Sequence, residues 1–581
     1  MFDRLIKGGT VIDGSGAKPF TADVAIQDGR IVEVGRVTGT ARETIPADGL
    51  LVMPGFVDVH SHYDGQVTWD SQLAPSIWHG VTTAVMGNCG VGFAPCKPDK
   101  RDWLIGLMEG VEDIPGSALA EGLQWEWETF PQYLDALQKR AWSMDIGAQM
   151  PHGALRAYVM GERGAKNEKA TADDIAAMAR LQAEAQAAGA FGFSTSRTIF
   201  HRAKDGEPVP GSFAGEDEMT AIAQAIAASG HGVLEAAITT PDEDAEGAAR
   251  ELRWMNEVSA TTGCKITFLC LQYNTAPTWW RTQLASCLEG RKQGAVVVPQ
   301  IFCRAIGVML GLRSRFHPFV NGATFRRIRE LPFDEMIRRL KSDAELRRAV
   351  ALEGAANVFG ANDPSDPFAG RMNLEWEKVY ALGNPPNYEP TPEQSMAAIA
   401  ARQGRDPREA ALDAMLEDEG EGFIQYPFMG YFDGSLDPIY DMLADPYSIP
   451  GAADGGAHVA TICDAGVPTF MLTHWSRDRT MGRKFPIEYM VKKQTFDTAS
   501  LYGMRDRGLV KPGLRADLNV IDFDRLGFGK PRMIHDLPAG GPRLMQKGVG
   551  YVHTMVAGIT VQADGTDTGA RPGRLMRSRA G

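Results

Sequence analysis

Residues 51–64 read Leu51-Val52-Met53-Pro54-Gly55-Phe56-Val57-Asp58-Val59-His60-Ser61-His62-Tyr63-Asp64. An apolar run meets a Pro-Gly turn, and a short strand pattern follows, ending in His-Ser-His. Alternate residues on a strand share a face. His60 and His62 therefore project together from the strand end, spaced to hold one divalent cation. The C-terminal end of a strand that opens a strand–helix series is where parallel barrels place their chemistry.

The rest of the chain supplies such a series. Strand patterns recur at Val81–Met86, Asp145–Met150, Phe191–Arg197, Gly232–Ile238, Lys265–Leu271 and Ala295–Ile301, with a short eighth inside Ser448–His458. Helical patterns at Ala172–Ala188, Glu216–Ser229, Ala248–Gly263 and Trp279–Gly294 separate several of them. Eight strands alternating with helices predict an α/β fold, a closed parallel (β/α)8 TIM barrel. Residues 302–445 break the alternation with mixed helices and Pro-rich turns. An insertion of that length reads as a lid or substrate wall. Within it, Tyr426-Pro427-Phe428-Met429-Gly430-Tyr431-Phe432 is apolar enough to line a pocket.

Residues 1–54 read as short strands, with Asp28-Gly29 between two alternating runs as a hairpin signal. From Gly508 the pattern returns to β, through Ala516–Asp522 to a last strand at Val552–Gly558. Two β-rich ends predict a small composite β-sandwich, from residues 1–54 and 506–581, beside a barrel spanning 55–505.

Bulk properties narrow the class of function. The chain has 581 residues, 44% hydrophobic and 23% charged, which suits a soluble globular protein of one large and one small domain. A net charge of −13 with no basic cluster along the chain argues against nucleic acid and anionic membranes. No secretory signal or membrane-spanning run is visible. Seven cysteines without regular spacing fit a reducing compartment, and a cytoplasmic location is expected. The spread of acidic charge is compatible with a homo-oligomer.

Four features in order, the early β-region, MPGFVDVHSHYD, an aspartate at the eighth strand end, and GLVKPGLRADLNVID, resemble the metal-dependent amidohydrolase superfamily. GNCGVGFAP around Cys89 looks like its N-acyl-D-amino-acid deacylase branch. The resemblance implies zinc, one or two ions, and hydrolysis of a small-molecule amide, an N-acyl amino acid first of all. It aligns His60 and His62 with the first-strand metal pair and Cys89 with the cysteine ligand. Asp454 aligns with the eighth-strand aspartate, a general base and potential ligand.

The chain departs from that pattern at strands five and six. Where the branch carries histidines, it has Glu235-Ala236-Ala237 and Cys270-Leu271-Gln272. Three arrangements follow: a different ligand set, a cation at the His60–His62–Asp454 position, or weakened binding. Glu235, a carboxylate inside an apolar strand, needs a partner and is a candidate ligand. Cys270 is a weaker one. His231 precedes strand five and should lie at the opposite end. Arg197 and Arg304 are candidates to hold a substrate carboxylate. His152 and His317 are candidates to replace a missing ligand or to hold the oxyanion of the substrate, His458 to line the pocket or orient Asp454, and Tyr63 to contact substrate. The departures also keep open hydrolysis of a cyclic or xenobiotic amide, and a barrel that has lost catalysis and serves as a binding module.

Overall fold

A computed structural model describes residues 1–358, 373–451 and 453–580. Ala452, expected in the eighth-strand segment, and residues 359–372 of the expected insertion lie outside the described residues.

The expected parallel strands are present. In chain order they are Phe56–Ser61, Val81–Met86, Asp145–Ala148 with Met150–Pro151, Gly192–Ser196, Val233–Ala237, Lys265–Cys270, Val297–Phe302 and Ile449–Gly451. They are called strands one to eight below. Each pairs in parallel with its sequence neighbour, in registers such as Thr83 to Asp145, Ser194 to Glu235 and Cys270 to Ile301. Gln149 alone separates the two pieces of strand three, which pair with strands two and four respectively. Beyond strand eight, Gly455 forms a parallel bridge to Ser61 of strand one. This consecutive parallel order is what connections through helices impose. The helices include Ala172–Ala188, Glu216–Ala228, Ala245–Thr262 and Trp279–Lys292.

The ends of the chain share one sheet of nine strands. Leu518–Ile521 lies antiparallel to Leu51–Pro54 on one side and to Tyr551–Val556 on the other, so Val520 faces both Val52 and His553. The Asp28-Gly29 hairpin forms as expected, with Gln27 opposite Arg30 and both turn residues at positive φ. One expectation needs correcting. The strand ends at Val556, Ala557-Gly558 is a second positive-φ turn, and Ile559–Ala563 and Thr566–Asp567 continue the sheet. Ala-Gly lacks the Asn or Asp that usually marks such a turn, so the strand pattern runs on through it.

After strand seven, Ile306–Gly311, Phe423–Met429 and Tyr380–Ala381 form an antiparallel sheet. Helices Phe333–Ser342, Met396–Gln403 and Pro407–Gly420 accompany it. Val308, Leu310, Ile337, Leu340, Leu412 and Met415 belong to a core of its own. The insertion is therefore a folded unit attached at the strand-seven exit.

Candidate metal centre

The parallel strands deliver their exit residues to one buried point. His60 is the penultimate residue of strand one, and His62 lies one residue past that strand; their ring centroids lie 5.5 Å apart. Nδ1 of His60 sits 3.0 Å from Gln300 Oε1 of strand seven. An amide oxygen only accepts, so Nδ1 carries the proton and the Nε2 lone pair faces inward. That Nε2 lies 3.4 Å from Cys89 Sγ. His62 Nδ1 lies 3.1 Å from Glu112 Oε1, an ion-pair distance without a hydrogen bond, and Nε2 lies 3.3 Å from Asp454 Oδ1. His60 Nε2 is 3.8 Å from the same Asp454 oxygen.

Ligand atoms of His60, His62 and Cys89 all lie within 4.8 Å of one another, and all three side chains are buried. Two imidazoles and a thiol are borderline-to-soft donors, which suit zinc. A further sign that the pocket fits a cation is Glu235. Its Oε2 accepts the Cys89 N–H at 2.9 Å, while Oε1, fully buried, has no hydrogen-bond partner and lies 3.9 Å from His60 Nδ1. Buried carboxylate oxygens seldom stay unmatched.

Backbone strain collects at the same point. Cys89, Asp454 and His458 all have left-handed backbones, with φ of 53°, 57° and 45°. Gly90 makes the Cys89 turn possible, because a side chain there would meet the Ser196 backbone nitrogen at 2.6 Å.

Electrostatics divide the groups. Burial pushes the Glu235 carboxyl up to about 8, and burial lowers His60 to about 4. Burial alone would also lower His62, but Glu112 and Asp454 hold it up at about 10. Burial works to raise Asp454, yet the hydrogen bond and charge of His62 and the charge of His60 keep it well below the usual carboxylate range. Burial, then Glu235, pushes the Cys89 thiol up.

The cluster opens into a cavity of about 560 Å³. Asp454 and His458 line it, as do Tyr273, Tyr426, Phe428 and Met429, so the first half of the expected aromatic run borders it, whereas Tyr431 and Phe432 do not. Other expected residues lie elsewhere. Arg197 is buried against Glu251 at 2.7 Å, with Nη1 on Ala214 O. His152 bridges Thr195 Oγ1 and Glu218 Oε1. Tyr63 donates to or accepts from Ser76 Oγ at 2.6 Å and is fully buried. None of the three lines the cavity, so the expectation that they contact substrate is corrected. Arg304 is bound to Asp464, His317 belongs with Phe319 and Phe325 of the insertion core, and Cys270 faces Gln283 and Met442.

Two residues of the site had no expectation attached. Glu112 ends the helix Arg101–Glu112 and stands between His62 and His458. His201 lines the cavity with Nδ1 3.0 Å from Ser196 Oγ. Its place five residues past strand four was a usable signal; Glu112 offered none.

A metal-binding pocket at the exits of consecutive parallel strands defines the class: a metal-dependent α/β enzyme. Residues 43–562 match the model of the Amidohydrolase family, and the chain belongs to that family. It is 28% identical to the D-aminoacylase of Alcaligenes xylosoxydans xylosoxydans, across all of this chain and 98% of that one. It is 26% identical to the N-acyl-D-glutamate deacylase of the same organism, over all of this chain and 97% of that one. Among solved structures, D-aminoacylase superposes with a TM-score of 0.64 at 24% identity, over 99% of this chain and 100% of the other. The N-acyl-D-glutamate deacylase of Bordetella bronchiseptica, complexed with zinc and a phosphonate mimic of the tetrahedral intermediate, gives 0.63 at 22%, over 99% and 100%.

Proposed function

We propose that the protein is a metal-dependent amidohydrolase that cleaves the amide bond of an N-acyl amino acid. The observation that carries this is the convergence of two imidazole Nε2 atoms and one thiol on a single point, beside the Asp454 carboxylate.

His60, His62 and Cys89 would hold zinc, with Glu235 and Asp454 completing the set for one ion or two. Bound there, zinc supplies Lewis acidity that polarises the amide carbonyl and acidifies water near neutral pH. Asp454 is the general base. It takes a proton from the attacking water and returns it to the leaving nitrogen. Glu112 fixes the His62 ring so that Nε2 stays turned inward. His458 and His201, on the cavity wall, are placed to hold the carbonyl oxygen as charge develops on it. The Tyr426–Met429 segment and Tyr273 receive the apolar part of the substrate.

In architecture we read the consecutive parallel strands as a closed (β/α)8 barrel over residues 55–505, with the insertion at 302–445. The nine-stranded sheet is then a composite β-sandwich domain of residues 1–54 and 506–581. The seven cysteines are all unpaired and buried, which supports a reducing, cytoplasmic setting. Among the described residues no helix is long and apolar enough to cross a membrane.

Metal analysis of purified protein, with assay against N-acyl-D- and N-acyl-L-amino acids and cyclic amides before and after chelation, tests the reading. Bound zinc and chelator-sensitive turnover of an N-acyl amino acid are expected. Less than about a quarter equivalent of metal, with activity indifferent to chelator, would overturn it.

A further inference from the structure

The strand ends opposite the metal centre carry a second cavity, of about 640 Å³. The last described stretch of the chain crosses that end. Trp142 and Gly573 exchange backbone hydrogen bonds, Met576 N donates to Ile146 O, and Ser578 N donates to Gly189 O. The turns leading into strands five and six and the segment 501–507 form the other walls. His231, which the sequence places before strand five, is found here with Nδ1 3.0 Å from Ser578 Oγ.

The cavity is strongly positive. Its lining holds Lys265 and the arginines 505, 507, 574, 577 and 579, against one acid, Asp506. Arg507 is committed to Asp145 and Asp506, and Arg577 to Asp135. Among the described residues the side chains of Arg505, Arg574 and Arg579 make no ion pair or hydrogen bond. Lys265 reaches only a carbonyl, Leu501 O at 3.2 Å. Burial and the charge of Arg505 both act to lower its pKa. Four cations with no ion pair among the described residues thus line one concavity in a chain whose net charge is −13.

Arg505, Arg574 and Arg579 are exposed, so water screens their mutual repulsion, while an anion entering the concavity between them is attracted by all of them. Guanidinium forks match phosphate oxygens in pairs, and the volume suits a small metabolite. We propose that this cavity binds a small phosphate-bearing molecule of nucleotide size, with Arg505, Arg574, Arg579 and Lys265 as its anion-holding groups. It lies at the far end of the strands from the amide-cleaving site, so its occupant acts on stability or regulation and takes no part in hydrolysis.

Calorimetric titration of the full-length protein with AMP and with inorganic phosphate, at fixed ionic strength, tests the proposal. The comparison is an Arg505→Ser/Arg574→Ser double variant; both side chains are exposed, and the unliganded melting temperature checks that the fold is kept. Wild type should bind AMP, and the double variant should bind it at least about tenfold more weakly. An Arg505→Lys/Arg574→Lys variant should stay within about threefold of wild type, separating lost charge from lost fold. Equal affinity in wild type and the serine variant would overturn the proposal by placing the anion elsewhere, as at the metal centre. So would the absence of binding to either probe up to about 10 mM.

Discussion

Asp454 has a left-handed backbone, and its Oδ1 is within 4 Å of both His60 and His62 Nε2. Such a conformation persists only where surrounding structure enforces it; here Asp454 N is tied to His60 O and Ala457 N to Asp454 O. Replacing the carboxylate by an amide keeps the shape and removes the base. Asp454→Asn should therefore lower kcat by about 10³, with KM much less affected. Unchanged turnover of an N-acyl amino acid would show that another group moves the proton. Glu112 touches no reacting atom in this scheme and acts by turning His62. Glu112→Gln should cost about 10–100-fold in kcat or metal affinity. Metal titration alongside kinetics separates that from a folding defect, since a merely structural residue would lower stability and leave the affinity of folded protein unchanged.

At the scale of elements, the strand Phe423–Met429 brings the insertion to the cavity. Phe428 and Met429 are half-buried, lean into the cavity, and have apolar surface left for a ligand. Phe428→Ala should raise KM about tenfold for substrates with a large apolar group and little for small ones, with kcat nearly unchanged. A uniform loss across substrates would remove the wall from the binding site. A second element-level link joins helix His152–Met160 to helix Glu216–Ala228 through the buried pair Arg156–Glu218. Burial would raise the Glu218 carboxyl, but His152 and Arg156 hold it down at about 2. A depressed folded pKa stabilises the fold above the unfolded value near 4.5 and is lost as pH falls from there toward 2. The gap corresponds to about 3 kcal/mol. Denaturant melts should show Glu218→Gln less stable than wild type at neutral pH, with the difference closing toward pH 3. A constant difference would contradict the linkage. These pairs also mark what the sequence could show. Strands and helices were legible because burial imposes a period of two or 3.6 on neighbours in the chain. His60, His62, Cys89 and Asp454 were legible because turns and strand ends announce themselves locally. Arg197 and His152 resemble substrate-facing groups in the sequence because a basic side chain at a strand exit looks the same whether it meets a substrate or a buried acid such as Glu251, 54 residues on from Arg197. Glu112 was missed because a helix-end carboxylate gives no sign that it reaches an imidazole 50 positions earlier.

Across the whole molecule, one buried acid joins the terminal sheet to the parallel strands. Asp145, in strand three, accepts from Arg507 Nη1 at 2.8 Å, from Arg515 Nη2 at 3.1 Å and from the Arg574 backbone N–H at 3.0 Å. Arg507 also donates to Thr83 Oγ1 of strand two. Arg515 pairs with Asp517, whose carboxylate caps the Ala557 N–H in the second turn of the nine-stranded sheet. Residues distant in sequence thus meet on one carboxylate that has no access to solvent. Such a network is costly to desolvate, and a well-packed apolar substitute for all of it could be as stable. Removing one member is different, because the remaining charges stay buried. Asp145→Asn leaves Arg515 on Asp517, and Arg507 on Asp506 at 2.9 Å with Asp517 only at 3.5 Å. The expected loss is about 3–5 kcal/mol, read as a lowered melting temperature in calorimetry at neutral pH. Because the network spans both parts of the chain, sheet and parallel strands should still unfold together in wild type, and the variant should bring the terminal sheet loose first. A variant within about 1 kcal/mol of wild type, melting in one transition, would mean that Asp506 and Asp517 already balance both guanidinium groups and that the other contacts, such as Asn519 Nδ2 to Gly80 O and Tyr551 Oη to His79 O, hold the two parts together.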